Sequence, residues 1–238
     1  IYVDNGRNSS QGFYTDGSYI YHTKRAMNGT YGLDQFKLTG PFVAMFSGTP
    51  FEITTPAAKN MTEWIYNAFD PFIYQGAMFR MVKGRQPTDM HASGAAAMGA
   101  MIDLLDSLKK EDREKVTGII KAQVRDDTSV DFYATLSLAQ GIKLAKIMKN
   151  DSIVPRKALL TNHVYHNEDK VVHQRGDFAL GISMSSSRIY NYESINGNNL
   201  TGWYVGDGMT EYFTKDNLQQ SGNLYWGQVN PYRLPGTT

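Results

Sequence analysis

Cysteine is absent from the 238 residues, which excludes a disulfide framework, a thiolate nucleophile and any zinc site built on thiolates. That absence suits secreted bacterial proteins and cytosolic ones alike, so it decides little about compartment. Charge excess is missing too: 24 Lys and Arg against 23 Asp and Glu leave a formal +1. A nucleic-acid partner is therefore not expected, although a local basic cleft for an anionic glycan stays open. No long apolar run is present, and residues 92–102 are too rich in Ala and Gly to suggest a membrane span. The opening IYVDNGRNSS has no Met and no basic head before an apolar stretch, so no signal peptide is read there and the chain is expected to be a processed or excised piece of something longer. Phosphate-loop, HExxH and GxSxG patterns are lacking, and GDGMTEYF has an Asp-Gly turn without calcium-loop spacing.

What is present suffices for one large folded domain or two modest ones, with 41% hydrophobic and 20% charged residues. Helical signals dominate from Asp34 to about Asn150. Residues 55–74 begin Thr-Pro and carry Met61, Trp64, Ile65 and Phe69 at helical spacing. Residues 91–112 place Met98, Met101, Ile102 and Leu105 on one face, and a third helix is expected over 113–126. A fourth, over 129–150, shows a stripe of Leu136, Leu138, Ile142, Leu144 and Ile147. Near Asp151 the pattern changes, and Pro155 breaks the helical run. Strands are expected over 158–166, 170–174, 178–185 and 188–195, followed by an aromatic, glycine-rich tail with turn signals. A boundary falls at 150–156, giving a helical part over 1–150 and an antiparallel sheet part over 151–238.

Four places combine reactive side chains with turn chemistry. His22 and Tyr31 lie in DGSYIYHTKRAMNGTYG, where glycines allow close approach of a ligand; a surface loop with an incidental histidine explains the same residues. Lys83 and Arg85 flank Gly84 and suit a carboxylate clamp or a solvated helix end. Glu193 precedes the amides Asn196, Asn198 and Asn199, which suit sugar hydroxyls, while Asn196-Gly197 also reads as an ordinary hairpin turn. His163 and His166, three apart, fall on opposite faces of a strand, so no metal site is expected there or with His173.

These blocks together resemble the bacterial polysaccharide lyase family that contains hyaluronate lyase, chondroitin AC lyase and xanthan lyase. A histidine is followed nine residues later by a tyrosine, His22 and Tyr31, and GISMSSSRIYNYESINGNNLTGWYVGDGM and NPYRLPGTT look like the same family. The resemblance implies an α+β multidomain fold, in which an incomplete α/α toroid is followed by the start of an antiparallel β-sandwich with a glycan cleft where they meet. It implies His22, Tyr31, Arg85 and Glu193 as catalytic residues, with Lys83, Asn196 and Asn198 taken as substrate-binding, and no metal or other cofactor. Family members commonly carry a second arginine at the position of Asp89, and the family's catalytic asparagine lies farther upstream than Asn5 or Asn8.

The implied partner is an acidic polysaccharide, met by a monomer that is part of a longer, secreted or cell-surface bacterial chain. The implied activity is β-elimination at a uronic acid, of hyaluronate or chondroitin, or alternatively of xanthan. Tyr31 would be the base, and a guanidinium beside it would favour the phenolate. Two other readings stay open. A hydrolase would need two carboxylates, for which Asp16 and Glu193 are the nominees. A non-catalytic carbohydrate-binding fragment would use Tyr19, Tyr31, Trp203 and Trp226 as stacking platforms.

Overall fold

The computed structural model describes residues 11–55, 59–215, 230 and 233. Three short strands open it: β1 (Gly12–Phe13), β2 (Tyr19–Tyr21) and β3 (Arg25–Ala26) form an antiparallel meander. A π turn at Asn28–Gly32 leads into α1 (Leu33–Phe46), whose Leu33, Phe36 and Gly40 are buried at helical spacing. The long helix expected over 55–74 is shorter: α2 (Asn60–Trp64) runs into a π turn at Ile65–Phe69 and a 3-10 turn at Asp70–Phe72. Pro71 supplies the reason, because its ring removes an N–H and blocks a continuing helix. Met61, Trp64, Ile65 and Phe69 are nevertheless all buried, as their spacing predicts. The chain then forms the hairpin of β4 (Ile73–Tyr74) and β5 (Ala77–Met78).

Helices α3 (Met90–Leu104) and α4 (Lys110–Asp126) follow, then the short α5 (Phe132–Thr135) and α6 (Leu138–Lys149). Small residues make α3 a packing rod: Gly94, Ala95, Ala97, Gly99 and Ala100 are buried together with Met98, Met101 and Ile102, so neighbours close in around it. The stripe expected on α6 is only half right. Leu144 and Ile147 are buried, but Leu138 is 82% exposed and Ile142 50%. Gln140, from the same helix, turns inward instead and donates to Asp103 Oδ2 on α3 at 2.7 Å.

Residues 150–160 run along α4, where Arg156 N–H donates to the Gly118 carbonyl at 2.9 Å. Beyond them β6 (Thr161–Tyr165), β7 (Lys170–Gln174), β8 (Phe178–Ser183) and β9 (Met209–Thr214) form one antiparallel sheet in chain order. Alternation is clean on β7 and β8, with every second residue buried, as a sheet covered on one face requires. Residues 188–195 do not form the expected strand. Tyr190 N–H donates instead to the Lys24 carbonyl at 2.9 Å, and Ile189 is buried beside Tyr14 and Ile20. The β2–β3 hairpin thus holds this segment apart from the four-stranded sheet. Conversely, β9 forms within the aromatic, glycine-rich tail, directly after the turn signal at Gly206-Asp207-Gly208, where no individual strand was expected.

One hydrophobic cluster runs from Phe13 and Phe36 through Phe72 and Phe79 to Tyr165 and Phe213. The helical part and the sheet therefore share a core. Phe72 stacks on Tyr165 with ring centroids 4.2 Å apart, and the Tyr165 hydroxyl donates to the Asn67 carbonyl at 2.8 Å.

Candidate active site

His22 sits at the start of the three-residue loop between β2 and β3, where Tyr21 pairs with Arg25. The loop is tight. His22 has φ 45°, Thr23 has φ 78°, and Lys24 N–H returns to the His22 carbonyl at 3.0 Å. A β-branched residue at positive φ is disfavoured, and such strain concentrates at functional positions. Tyr31 comes from the π turn, whose first residue Asn28 is fully buried and donates to the Gly17 and Ala68 carbonyls. Gly29 lets this turn lie close, because a Cβ there would meet Met78 Sδ at 2.5 Å.

Arg85 follows Gly84, which has φ +55°; a Cβ on Gly84 would come within 3.2 Å of Glu193 Oε2. Glycine thus admits the carboxylate and provides the left-handed backbone at once. Glu193 is only 2% exposed, and the Asn199 side-chain amide fixes its carbonyl at 2.7 Å.

These four side chains meet. Glu193 Oε1 lies 2.6 Å from His22 Nδ1, and Arg85 Nη1 donates to Glu193 Oε2 at 3.2 Å. Since an ionised carboxylate only accepts, His22 Nδ1 carries the hydrogen of that bond and Nε2 is the nitrogen left for a ligand. Arg85 Nη2 donates to the Tyr31 hydroxyl at 3.3 Å. The hydrogen bond with Tyr31, followed by that with Glu193, holds Arg85 firmly in its cationic form against partial desolvation. Tyr21 stacks on Tyr31 with centroids 4.6 Å apart, and the His22 ring lies 4.9 Å from the Tyr31 ring. One guanidinium therefore bridges a phenol and a buried carboxylate, and the same carboxylate orients an imidazole.

The other nominated residues lie elsewhere. Lys83 is not a surface clamp: it is 2% exposed, and its ammonium donates to the Thr88 carbonyl. Burial lowers its pKa to about 8. Asn196 and Asn198 occupy an exposed turn with an isolated bridge between Ile195 and Asn198, and Asn196 has φ 56°. Asp16, nominated for hydrolysis, is committed to structure, its oxygens accepting from Ser18 N–H and from the Asn167 backbone and side chain. Tyr19 is buried against Phe13 and offers no platform; burial pushes its pKa up to about 12. Trp203 packs edge-on to Tyr192, and Trp226 and the NPYRLPGTT block lie outside the described residues, save Asn230 and Arg233.

His163 stacks on Tyr165 and donates to the Asp16 carbonyl at 2.8 Å, while His173 lies beside Phe178. Among the described residues no group of three or more His, Asp or Glu is placed to hold a metal ion. Sequence reasoning missed Tyr21, Arg25 and Tyr190, and it read Asn199 as a sugar contact where the structure sets its amide on the Glu193 carbonyl. The spacing of Tyr21 and Arg25 about His22 was a usable signal, because residues flanking a hairpin loop face each other.

Two family models match the chain. Residues 3–122 match the N-terminal alpha-helical domain of polysaccharide lyase family 8, and residues 160–238 match that family's super-sandwich domain. The chain is 37% identical over 232 residues to a xanthan lyase of Bacillus sp. (strain GL1), covering 95% of this chain and 25% of the relative. It is 32% identical over 234 residues to a hyaluronate lyase of Staphylococcus aureus, covering 95% of this chain and 29% of the relative. The structure of a Paenibacillus xanthan lyase superposes with a TM-score of 0.92 at 32% identity, over 100% of this chain and 23% of that one. That of a Streptomyces coelicolor chondroitin AC lyase in complex with chondroitin sulphate gives 0.89 at 28% identity, over 100% and 33%. The chain spans about a quarter to a third of the length of these relatives. With both of its parts matched in order and its fold shared throughout, the chain belongs to polysaccharide lyase family 8.

Proposed function

We propose that this chain carries the catalytic centre of a lyase that opens the glycosidic bond at C4 of a uronic acid by β-elimination. The observation that carries the reading is the bridge from the Tyr31 hydroxyl through Arg85 to Glu193 and on to His22. Removing the C5 proton pushes charge into the sugar carboxylate, so a base at C5 and a neutralising group at that carboxylate are both needed. Tyr31 is the base. Its oxygen accepts the C5 proton, the electron pair forms the C4–C5 double bond, the C4–O bond breaks, and the same hydroxyl protonates the leaving oxygen.

Arg85 stabilises negative charge on the Tyr31 oxygen while that charge lasts, since a cationic donor makes the stronger hydrogen bond. His22, oriented by Glu193, faces the substrate carboxylate with Nε2 and neutralises it only when both ring nitrogens carry a hydrogen, since a bare Nε2 would set one acceptor against another; the asparagine that the family resemblance places upstream is the second donor. Asn196 and Asn198 offer exposed amides to neighbouring sugars. No cofactor enters, because the step moves one proton and breaks one C–O bond without net oxidation. A bacterial protein that works as a monomer outside the cell suits a polymer substrate too large for uptake, and the named relatives are bacterial.

Hyaluronan or chondroitin is the first substrate reading, supported by the NYESING block and by the hyaluronate lyase relative. Xanthan is the second, favoured by the higher identity to a xanthan lyase, 37% against 32%. The test is ultraviolet absorbance of the unsaturated uronide, with a longer chain that carries these residues, on each of the three polymers. A rise on one polymer names the substrate. Tyr31→Phe is expected to lower turnover at least about 100-fold while glycan binding persists; near-normal turnover would remove Tyr31 from its role. New reducing ends without absorbance would mean hydrolysis, and glycan binding without either product would mean a binding fragment.

A further inference from the structure

Arg25 belongs to none of the roles assigned so far, yet its guanidinium reaches the backbone of His22 and stands beside Glu193. Its place follows from the hairpin: Arg25 opens β3 directly opposite Tyr21, immediately after the loop that carries His22. Nη1 donates to the His22 carbonyl at 2.6 Å. Nε lies 3.8 Å from Glu193 Oε1, within ion-pair range and beyond hydrogen-bond length. The guanidinium carbon sits 4.9 Å from the centre of the Tyr190 ring, which fixes the plane of the group. Tyr190 is in turn tied to the loop, since its N–H donates to the Lys24 carbonyl at 2.9 Å and Lys24 Nζ donates to the Ser187 carbonyl at 2.6 Å.

We propose that Arg25 is a positioning residue for this centre, locking the loop that presents His22 and sharing Glu193 with Arg85. The proposal rests on the lyase reading above. Two features of the loop require a lock. His22 and Thr23 both hold positive φ, a conformation that a β-branched residue adopts only when its surroundings impose it, and the His22 carbonyl that accepts from Lys24 is the same one that Arg25 grips. Glu193 is buried, and Arg25 and Arg85 approach different oxygens of its carboxylate. With both guanidiniums present the centre is net positive, which suits an acidic sugar although Asp89 stands where family members commonly have an arginine. Lysine could reach one of these partners but not both, because it lacks the planar fork.

The test compares the longer chain that carries these residues and the upstream asparagine, unaltered, with its Arg25→Gln and Arg25→Lys variants. A positioning role predicts that Arg25→Gln loses about tenfold in kcat with KM changed by less than about twofold, and that Arg25→Lys falls between. A second readout does not depend on turnover. The His22 Nδ1 hydrogen, held in the 2.6 Å contact with Glu193, is expected as a strongly downfield proton signal, assigned by its loss in His22→Gln and shifted or broadened in Arg25→Gln. A kcat within about twofold of the unaltered protein, a loss confined to KM, or an unmoved His22 signal would overturn the proposal. If Arg25→Gln melts below the assay temperature, Arg25→Lys carries the same two readouts. If the unaltered longer chain, upstream asparagine included, yields no unsaturated product, the lyase reading fails on its own, and the His22 signal alone decides whether Arg25 holds the loop.

Discussion

Lys83 and Arg85 stand on either side of Gly84 and meet opposite fates. Arg85 points to Glu193 and Tyr31, while Lys83 is buried with its ammonium on the Thr88 carbonyl. Burial is the main cause of the Lys83 pKa falling to about 8 from 10.5, with nearby Arg80 adding to it and Asp89 and Glu211 opposing. The sign of its effect on stability follows. Between these values the unfolded chain holds the proton and the folded chain has released it, so stability rises with pH across that window. Below pH 8 the fold bears the whole cost of a buried ammonium, about 3 kcal/mol. Lys83→Met removes this cost together with one hydrogen bond. Urea unfolding at pH 7 and pH 9.5 should show the unaltered protein gaining on the variant as pH rises. A difference that stays flat would mean that Lys83 is not perturbed by its burial.

Among the elements, those with strong local signals were legible in the sequence and those set by distant partners were not. α4, β7 and β8 match their expected positions closely, because each carries a clean period and charged or polar ends, whereas α3 starts where expected but stops at Leu104, eight residues short of Asp112. Residues 188–195 have strand composition but are held by Lys24, a partner more than 160 positions away in the chain, which no local window contains. The same distance explains the site: His22, Tyr31, Arg85 and Glu193 came from family resemblance, whereas composition alone left each beside a bland alternative. α6 shows how a local rule can still be tested. Its Ser137 accepts from Gln140 N–H and Gln140 Oε1 accepts from Ser137 N–H, a complete capping box, and Gln140 also donates to Asp103. Ser137→Ala should cost about 1 kcal/mol. Gln140→Ala should cost about 2 kcal/mol, because it also leaves Asp103 without that donor. Equal losses in urea unfolding would mean that the tie to α3 contributes nothing.

At the scale of the whole molecule, three buried carboxylates from the C-terminal part hold the N-terminal part in place. Glu193 takes His22 and Arg85 directly, Glu211 accepts Arg80 N–H at 2.9 Å and Met81 N–H at 2.8 Å, and Glu168 accepts Tyr19 N–H at 3.3 Å. Glu211 thereby anchors the turn that leads to Arg85, and Glu168 anchors the strand that leads to His22, so the centre exists only while the two parts are docked. Glu168 is fully buried between them. Desolvation, followed by the nearby charge of Asp16, raises its pKa well above the ordinary carboxylate range, and Lys170 opposes this only in part. The folded chain therefore keeps a proton at Glu168 where the unfolded chain has lost it, and stability at this position falls as pH climbs above the ordinary carboxylate value. Glu168→Gln keeps a neutral group of the same size and has no such fall. The unaltered protein should match or exceed the variant near pH 5 and lose ground to it by pH 8, read as the difference in urea midpoints. A difference moving the other way would mean that Glu168 is ionised in the fold and that its pair with Lys170, rather than neutrality, joins the two parts.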